Sequence, residues 1–235
     1  SQLRKTRVWE PKQRAWSETG FPVPGVLADL DGRSLDAGVR FGVHVLRGQN
    51  HGLFLDMAAG RRWVQAWAAG RPGLTMLNLF AYTCAFSVAA MQGGAKEVVN
   101  LDMAQSALTT GQQNHQQNGF TSGAKFLAHD LFKSWGKVTR MGPFGLVIAD
   151  PPSYQKGSFV ATKDWPRLLR RLPELLRPGG HALLCLNSPE LPEQFLCDLL
   201  ATEAPGLELV QRLPNPAVFA DVSSDRALKV LVVRG

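Results

Sequence analysis

The sequence contains little cysteine, with three residues in a chain of 235 and no Cys-x-x-Cys pair. Cys84, Cys185 and Cys197 are far apart and odd in number, a pattern that excludes a disulfide framework and a structural zinc site. Free cysteines are typical of a reducing compartment. We therefore predict a cytoplasmic protein that holds no metal.

Long apolar runs are absent as well. No run reaches the roughly 18 residues that a membrane-spanning helix needs, and no secretory signal lies near Ser1. We expect no membrane partner. Hydrophobic residues make up 45% of the chain and charged residues 19%, so a sizeable core can be buried.

The sequence also lacks the loops that hold a diphosphate. It contains neither a GxGxxG nor a GxxxxGK[ST] pattern. This absence disfavours a dehydrogenase that binds a nicotinamide dinucleotide.

Basic residues outnumber acidic ones by 26 to 19, which gives a net charge of +7. A basic surface favours a polyanionic partner, although charge alone does not establish nucleic-acid binding. Residues 1–24 combine arginine, lysine, tryptophan and proline without a steady period. Two interpretations stay open for this arm: a solvated, partly ordered segment, or an RNA contact in which indoles stack on bases.

Residues 1–70 are predicted to form an N-terminal extension of basic arm, β-hairpin and helix, ahead of a main domain at 71–235. From Gly25 to Val45 an Asp31-Gly32 turn precedes period-2 alternation through Val39, Phe41, Val43 and Val45. The stretch 60–70 predicts a helix with Trp63, Val64 and Trp67 on one face.

After residue 71 apolar strands alternate with amphipathic helices, which predicts an α/β fold with a doubly wound, mainly parallel, seven-stranded sheet. The predicted strands are 74–80, 97–102, 125–128, 145–150, 180–186, 207–212 and 227–233. The predicted helices are 85–93, 104–118, 161–176 and 190–202. The last two strands are joined by a loop without a crossover helix, so we expect the final strand to be antiparallel.

Chemically capable residues follow four successive predicted strands. They are Phe80 to Cys84, then Asp102, then His129-Asp130, then Asp150-Pro151-Pro152. An acid about twenty residues after the first turn suits a ribose diol, and a second acid can accept from an adenine amine. Ligands of such sheets bind beyond the carboxyl ends of the strands. The pattern therefore predicts an adenosine ligand without phosphates, and S-adenosylmethionine fits it.

Each feature also has a structural explanation. Asp102 can cap the following helix, Asp130 can cap a turn, and a Pro-Pro pair can end a strand. The occurrence of all of them in order at four strand ends favours the site.

Three segments carry a wider resemblance: LNLFAYTCAFSVAAMQGGAKEVVNLDMAQSAL, DPPSYQ and LLRPGGHALL. They resemble class I methyltransferases of the bacterial large-subunit ribosomal RNA cytosine/guanine methyltransferase group. The upstream GVRFGVHVLRGQNHGLFLDMAAGR resembles that group's β-hairpin and its Thr-Gly-x-Phe-Leu-Asp-Gln-Arg segment. The resemblance covers residues 36–235 and implies S-adenosylmethionine as cofactor and RNA as partner.

The resemblance implies roles for individual residues. Phe80, Ala81, Tyr82, Thr83 and Cys84 would wrap the methionine moiety of the cofactor. The nucleoside would be bound by Asp102 at the ribose, Met103 beside the adenine, and Asp130 with Leu131 at the adenine amine. The methyl-transfer site would be lined by Asp150, Pro151 and Pro152, with Asp150 also contacting the cofactor and Tyr154 stacking on the base or packing on the loop.

The chain departs from the group's pattern at two places. Cys84 stands where the group commonly has glycine, and we interpret the turn as one that holds an amino-acid tail and demands less glycine. Met57-Ala58 replaces the Gln-Arg pair, and Arg61 or Arg62 is expected to compensate.

The favoured function is methylation of RNA, ribosomal RNA above all, by direct transfer. Enzymes that methylate carbon 5 of a pyrimidine need a cysteine nucleophile. The resembling enzymes of that type carry it at the end of the strand after the Pro-Gly-Gly turn, and the resemblance places Asn187 there. A nitrogen acceptor is therefore favoured, and Asn187 is expected to contact the base. A cluster formed by Lys156, Lys163, Arg167, Arg170 and Arg171 is either an RNA contact or a solvated helix face. The alternatives are a methyltransferase for a small molecule or protein side chain, and a silent binding module.

Overall fold

The computed structural model describes residues 6–10, 15–19, 39–42, 52–155, 158–219 and 223–235. Strands β1 (Thr6–Glu10) and β2 (Ala15–Thr19) pair antiparallel, with Trp9 opposite Trp16. The basic arm thus contains a hairpin, although its sequence shows no steady period. The predicted Asp31-Gly32 turn, Val43 and Val45 lie outside the described residues. Residues 39–42 belong to no strand, but Val39 and Phe41 are buried, as their alternation predicts.

Helices and strands alternate through the rest of the chain. The helices are α1 (Ala58–Ala69), α2 (Ala85–Gln92), α3 (Gln105–Gln117), α4 (Trp135–Thr139), α5 (Ala161–Arg171) and α6 (Glu193–Glu203). Short 3₁₀ helices cover Leu55–Met57, Leu172–Leu175 and Ala217–Phe219. The strands are β3 (Thr75–Leu79), β4 (Glu97–Asp102), β5 (Ala124–Ala128), β6 (Phe144–Ala149), β7 (Tyr154–Gln155), β8 (Phe159–Val160), β9 (Leu176–Leu186), β10 (Glu208–Leu213) and β11 (Lys229–Arg234).

Seven strands form one sheet in the order β10-β11-β9-β6-β3-β4-β5. Strands β3, β4, β5, β6 and β9 are parallel, whereas β11 is antiparallel to both of its neighbours. The predicted doubly wound, mainly parallel sheet and its antiparallel last strand are confirmed. The strand order reverses between β3 and β6, which is where ligands of such sheets bind.

The sheet is buried on both faces by the helices. Every residue of β6 is buried, as expected for a parallel strand covered on two sides. Alternation along β3 sends Met76 and Leu77 into different hydrophobic clusters. Val64 and Ala68 of α1 lie in the same cluster as Met76. Helix α1 therefore shares the core of the sheet, and the domain boundary after residue 70 stays a prediction.

Several elements differ from the sequence prediction. Strand β9 begins at Leu176, ahead of the predicted start at residue 180. The predicted helix 161–176 ends at Arg171 and continues as a 3₁₀ turn through Leu175, because Pro173 lacks the amide hydrogen that an α-helix would use. Helix α4 was missed, since its five residues Trp-Gly-Lys-Val-Thr have weak helix propensity. None of the helices in the described ranges is both long and apolar enough to cross a membrane.

Candidate functional site

A cavity of about 790 Å³ opens at the carboxyl ends of the parallel strands. Its lining follows the strand order. Asp130 follows β5 and Asp102 ends β4, whereas Asp150 follows β6 and Asn187 follows β9. Four strand spacings separate the first of these strands from the last, about 19 Å along the sheet edge. The cavity is therefore elongated and within the usual size of ligand sites.

The turn after β3 occupies the middle of this edge. Phe80, Tyr82 and Cys84 all have left-handed backbone, with φ of 57°, 46° and 63°. A non-glycine residue loses roughly 1–2 kcal/mol in this conformation. The expectation that the turn makes little demand on glycine is therefore wrong for its backbone. Such strain persists only where the surrounding structure holds it.

Asp102 supplies part of that support. Its Oδ2 accepts the amide hydrogen of Tyr82 at 2.8 Å, and its Oδ1 accepts that of Ala104 at 2.8 Å. Helix α3 begins one residue beyond Ala104, which is its N-cap, so Asp102 is not the helix cap. The carboxylate instead joins the β3 turn to the chain that leads into α3.

Thr83 is bonded on both sides of the turn. Its hydroxyl donates to the carbonyl oxygen of Gly52 at 2.6 Å, and its own carbonyl accepts from Asn114 Nδ2 at 3.0 Å. The ring of Phe54 lies 5.4 Å from the ring of Tyr82. The turn is thereby attached to the segment that precedes α1.

Cys84 lies behind the turn and away from the cavity. Its side chain is fully buried and faces Gly111 of α3, where an added Cβ would meet the Sγ atom at 2.3 Å. Burial raises the pKa of the Cys84 thiol well above its usual range, with a smaller contribution from Asp102. Cys84 is thus the one residue of the predicted cofactor turn that does not line the cavity, since Phe80, Ala81, Tyr82 and Thr83 do.

The residues predicted to bind the nucleoside lie together at one end of the cavity. Asp102, Met103, Asp130 and Leu131 all line the cavity, and Met103 is half exposed at its rim. Asp130 Oδ1 accepts the amide hydrogen of Phe132 at 2.9 Å, so the residue also closes a turn. Both acids serve local structure, yet an ionised carboxylate has about four acceptor positions and retains capacity for a ligand.

The other end contains the Asp-Pro-Pro turn. Asp150, Pro151, Pro152 and Asn187 line the cavity there, and Asp56 faces the same space. Burial, and then the charge of Asp56, raises the pKa of Asp150 to about 7. Asp150 can therefore take up or release a proton near neutral pH.

Two predicted features lie outside the cavity lining. Tyr154 is 70% exposed on the small β7–β8 hairpin. The basic cluster on α5 is largely paired within the chain, as Arg167 contacts Asp164, Arg170 contacts Glu203 and Arg171 contacts Glu174. These ion pairs favour a structural role for the three arginines, and Lys156 lies outside the described residues.

Sequence reasoning missed the contribution of the segment before α1. Phe54 and Asp56 of this segment line the cavity. Arg61 of α1, which the sequence had suggested, lines it as well, and its Nη1 donates to the carbonyl oxygen of Phe54 at 2.7 Å. Arg61 is buried and lines the cavity whereas Arg62 is exposed, so the expectation of a compensating arginine stays a prediction for Arg61. The signal was present in the resemblance of Gly-Leu-Phe-Leu-Asp to the group's motif. Among the described residues no three potential metal ligands converge.

The sequence model of the S-adenosylmethionine-dependent methyltransferase family matches residues 28–234. The chain belongs to this family. The match covers most of the sequence, and the mainly parallel seven-stranded sheet is consistent with it. The cofactor of this methyltransferase is S-adenosylmethionine.

Curated relatives carry names from ribosomal RNA modification. Ribosomal RNA large subunit methyltransferase I of Aeromonas hydrophila subsp. hydrophila is 35% identical over 212 residues, which cover 85% of this chain and 52% of that protein. Ribosomal RNA large subunit methyltransferase K/L of Psychrobacter sp. is 36% identical over 177 residues, which cover 69% of this chain and 21% of that protein. The chain thus spans about half the length of the methyltransferase I relative and less of the other.

Solved structures show the same fold. SMU.776, a putative methyltransferase complexed with SAH, has a TM-score of 0.77 at 26% identity, covering 84% of this chain and 54% of that one. A putative SAM-dependent methyltransferase from Streptococcus mutans gives a TM-score of 0.75 at the same identity and coverage.

The described residues suit the cofactor. The elongated cavity offers carboxylates at one end, an apolar and aromatic middle formed by Phe80 and Tyr82, and further carboxylates at the other. Acceptors match hydroxyl and amino groups, and anionic side chains match a cationic sulfonium and ammonium.

Proposed function

We propose that this methyltransferase modifies a base in RNA, with ribosomal RNA as the favoured substrate, and that it acts in the cytoplasm. The observation that carries the proposal is one continuous cavity. The acids predicted to bind a nucleoside line one end of it, and the Asp-Pro-Pro turn lines the other. The names of the curated relatives and the net charge of +7 support RNA as the acceptor. Three cysteines without a disulfide support the reducing compartment.

At the first end we assign Asp102 to the ribose hydroxyls and Asp130 to the adenine amine, with Met103 and Leu131 flanking the base. All four residues line the cavity. Phe80, Ala81, Tyr82 and Thr83 then face the methionine moiety, whereas Cys84 supports the turn from behind. The cofactor supplies an already activated methyl group, so the main task of the protein is positioning.

At the second end we assign Asp150, Pro151, Pro152 and Asn187 to the acceptor base. Each proline fixes its own φ, and together they hold the backbone carbonyls of the turn in one orientation. Phe54 is 44% exposed at the cavity wall and offers an aromatic face to a base. Asp150, with its pKa near 7, is placed to accept a proton from a nitrogen acceptor.

The position of Cys185 supports direct transfer without a covalent intermediate. Its thiol is fully buried, and burial followed by the charge of Asp150 raises its pKa well above the usual range. A nucleophile must be exposed and readily ionised. Replacing Cys185 by Ser should leave the transfer rate within about threefold of wild type. A covalent adduct with RNA that contains 5-fluorocytosine would contradict this assignment.

Nucleoside analysis tests the proposed function. RNA from a deletion strain and from the wild type is digested, and the modified nucleosides are compared by mass spectrometry. We expect one methylated base to disappear and to return when the purified protein and S-adenosylmethionine are added. Identical RNA profiles, together with methylation of a protein or a small molecule by the same preparation, would overturn RNA as the substrate.

A further inference from the structure

Asn114 is a fully buried polar residue of α3 whose two amide atoms contact separate parts of the chain. Its Nδ2 donates to the carbonyl oxygen of Thr83 at 3.0 Å, and its Oδ1 accepts the amide hydrogen of Gly42 at 2.8 Å. One side chain thus joins the turn after β3 to the segment at 39–42. A buried amide with both atoms bonded has one well-defined orientation.

The bond to Thr83 acts on the strained part of the turn. The carbonyl that Asn114 holds belongs to the peptide between Thr83 and Cys84, and the rotation of that peptide sets the φ of Cys84. Cys84 is left-handed, with φ of 63° and ψ of 30°. Releasing the carbonyl would let the peptide relax toward the conformation that a non-glycine residue prefers.

The side chain of Thr83 links the same turn to the wall of the cavity. Its hydroxyl donates to Gly52 O at 2.6 Å, and the residues that follow Gly52 include Phe54 and Asp56 of the lining. Gly42 and Gly52 are therefore both bonded to the Thr83–Asn114 pair. The pair fixes the turn and the wall in a single arrangement.

We propose that Asn114 is a positioning residue for the cofactor. It does not line the cavity, and it acts through Thr83 by holding the turn after β3 in its left-handed form and in contact with the wall. The proposal rests on the assignment of that turn to the methionine moiety. It predicts that loss of the Asn114 amide weakens cofactor binding although no contact with the cofactor is removed.

Asn118 provides a matched control one helical turn later. Its Nδ2 donates to Arg40 O and to the backbone carbonyl oxygen of Asn114, each at 2.7 Å, and its Oδ1 accepts the amide hydrogen of Arg40 at 2.7 Å. Asn118 thus holds the same N-terminal segment, and in the described part of the chain it makes no bond to Thr83. If Asn114 served only to anchor residues 39–42, both variants would have the same effect on cofactor binding.

The test measures the affinity for S-adenosylhomocysteine by calorimetry in the full chain. N114A should bind about tenfold more weakly than wild type, and N118A within about twofold. Adding C84G to N114A should recover most of the loss, since glycine adopts a left-handed backbone without the support of Asn114. C84G alone is measured to subtract its own effect, and thermal unfolding is recorded for every variant.

Several outcomes would overturn the proposal. They are equal affinities of N114A and N118A, or an N114A defect that C84G does not reduce. Where N114A proves too unstable to measure, N114L fills a similar volume but cannot donate to Thr83 at any pH. Wild-type affinity in N114L would then refute the proposal. Failure of the wild-type protein to bind S-adenosylhomocysteine would refute the cofactor assignment instead.

Discussion

Two turns at the same edge of the sheet are held in shape in different ways. The turn after β3 has three left-handed residues and no glycine, and side chains from other elements hold it. The turn after β6 is Asp150-Pro151-Pro152, in which two proline rings fix the backbone from within. The first turn therefore depends on remote residues, whereas the second is encoded locally.

The contrast has a functional side. A locally fixed turn presents the same surface whether or not a ligand is bound, which suits the alignment of an acceptor base. The shape of a turn that is held by remote hydrogen bonds depends on the helix and the cavity wall that form those bonds. Substitutions far from the cavity should therefore disturb the first turn and spare the second.

The largest expected effect is on stability and comes from Asp150. Its pKa is about 7 in the folded chain and near 3.8 when unfolded, so the folded state binds the proton more tightly. Stability is consequently lost as the pH rises from about 4 to 7, and the loss is complete above 7. D150N should raise the free energy of unfolding at pH 8 by on the order of 2–4 kcal/mol while reducing methyl transfer.

Denaturant unfolding at two pH values checks this expectation. The gain should shrink at pH 4, where the folded protein already carries the proton. A gain of equal size at both values would show that packing, and not ionisation, stabilises the variant.

The next effect tests the support behind the first turn. G111A should destabilise the wild-type protein by roughly 1–3 kcal/mol, because the new Cβ would meet Cys84 Sγ at 2.3 Å. In a C84G background most of this cost should disappear, since the contacts with Sγ and Cβ of Cys84 are removed and only the backbone carbon of Thr83 remains close, at 3.3 Å. Chemical denaturation of the four proteins gives the coupling energy. If the effects of G111A and C84G on the free energy of unfolding were additive, the proposed contact between Gly111 and Cys84 would be contradicted.

The smallest effect concerns the second turn. P152A should lower the free energy of unfolding by about 0.4–1 kcal/mol through the greater freedom of the unfolded chain. It should leave the affinity for S-adenosylhomocysteine unchanged, because Pro152 is assigned to the acceptor end. A cofactor defect in P152A as large as that of N114A would remove the distinction between the two turns.

The same contrast explains what the sequence could reveal. The Asp-Pro-Pro turn and the strands before it were predicted because apolar runs and proline act locally. The left-handed backbone of Cys84 was not predicted, since its support comes from Asn114 and Gly111, which are about thirty residues away. Asp56 was missed because its segment was assigned to a separate extension. In the structure this segment lies against the turn after β3, where Gly52 accepts a hydrogen bond from Thr83.

The most direct test of the cofactor site is a calorimetric titration of wild type and D102A with S-adenosylhomocysteine. Asp102 holds the first turn through Tyr82 and is assigned to the ribose. Its removal should therefore affect both the conformation of the turn and the contact with the ribose. We expect one molecule bound per chain and a loss of roughly 1–3 kcal/mol in D102A. A control variant, D198A on α6, should bind as wild type does. Unchanged affinity in D102A would contradict the account.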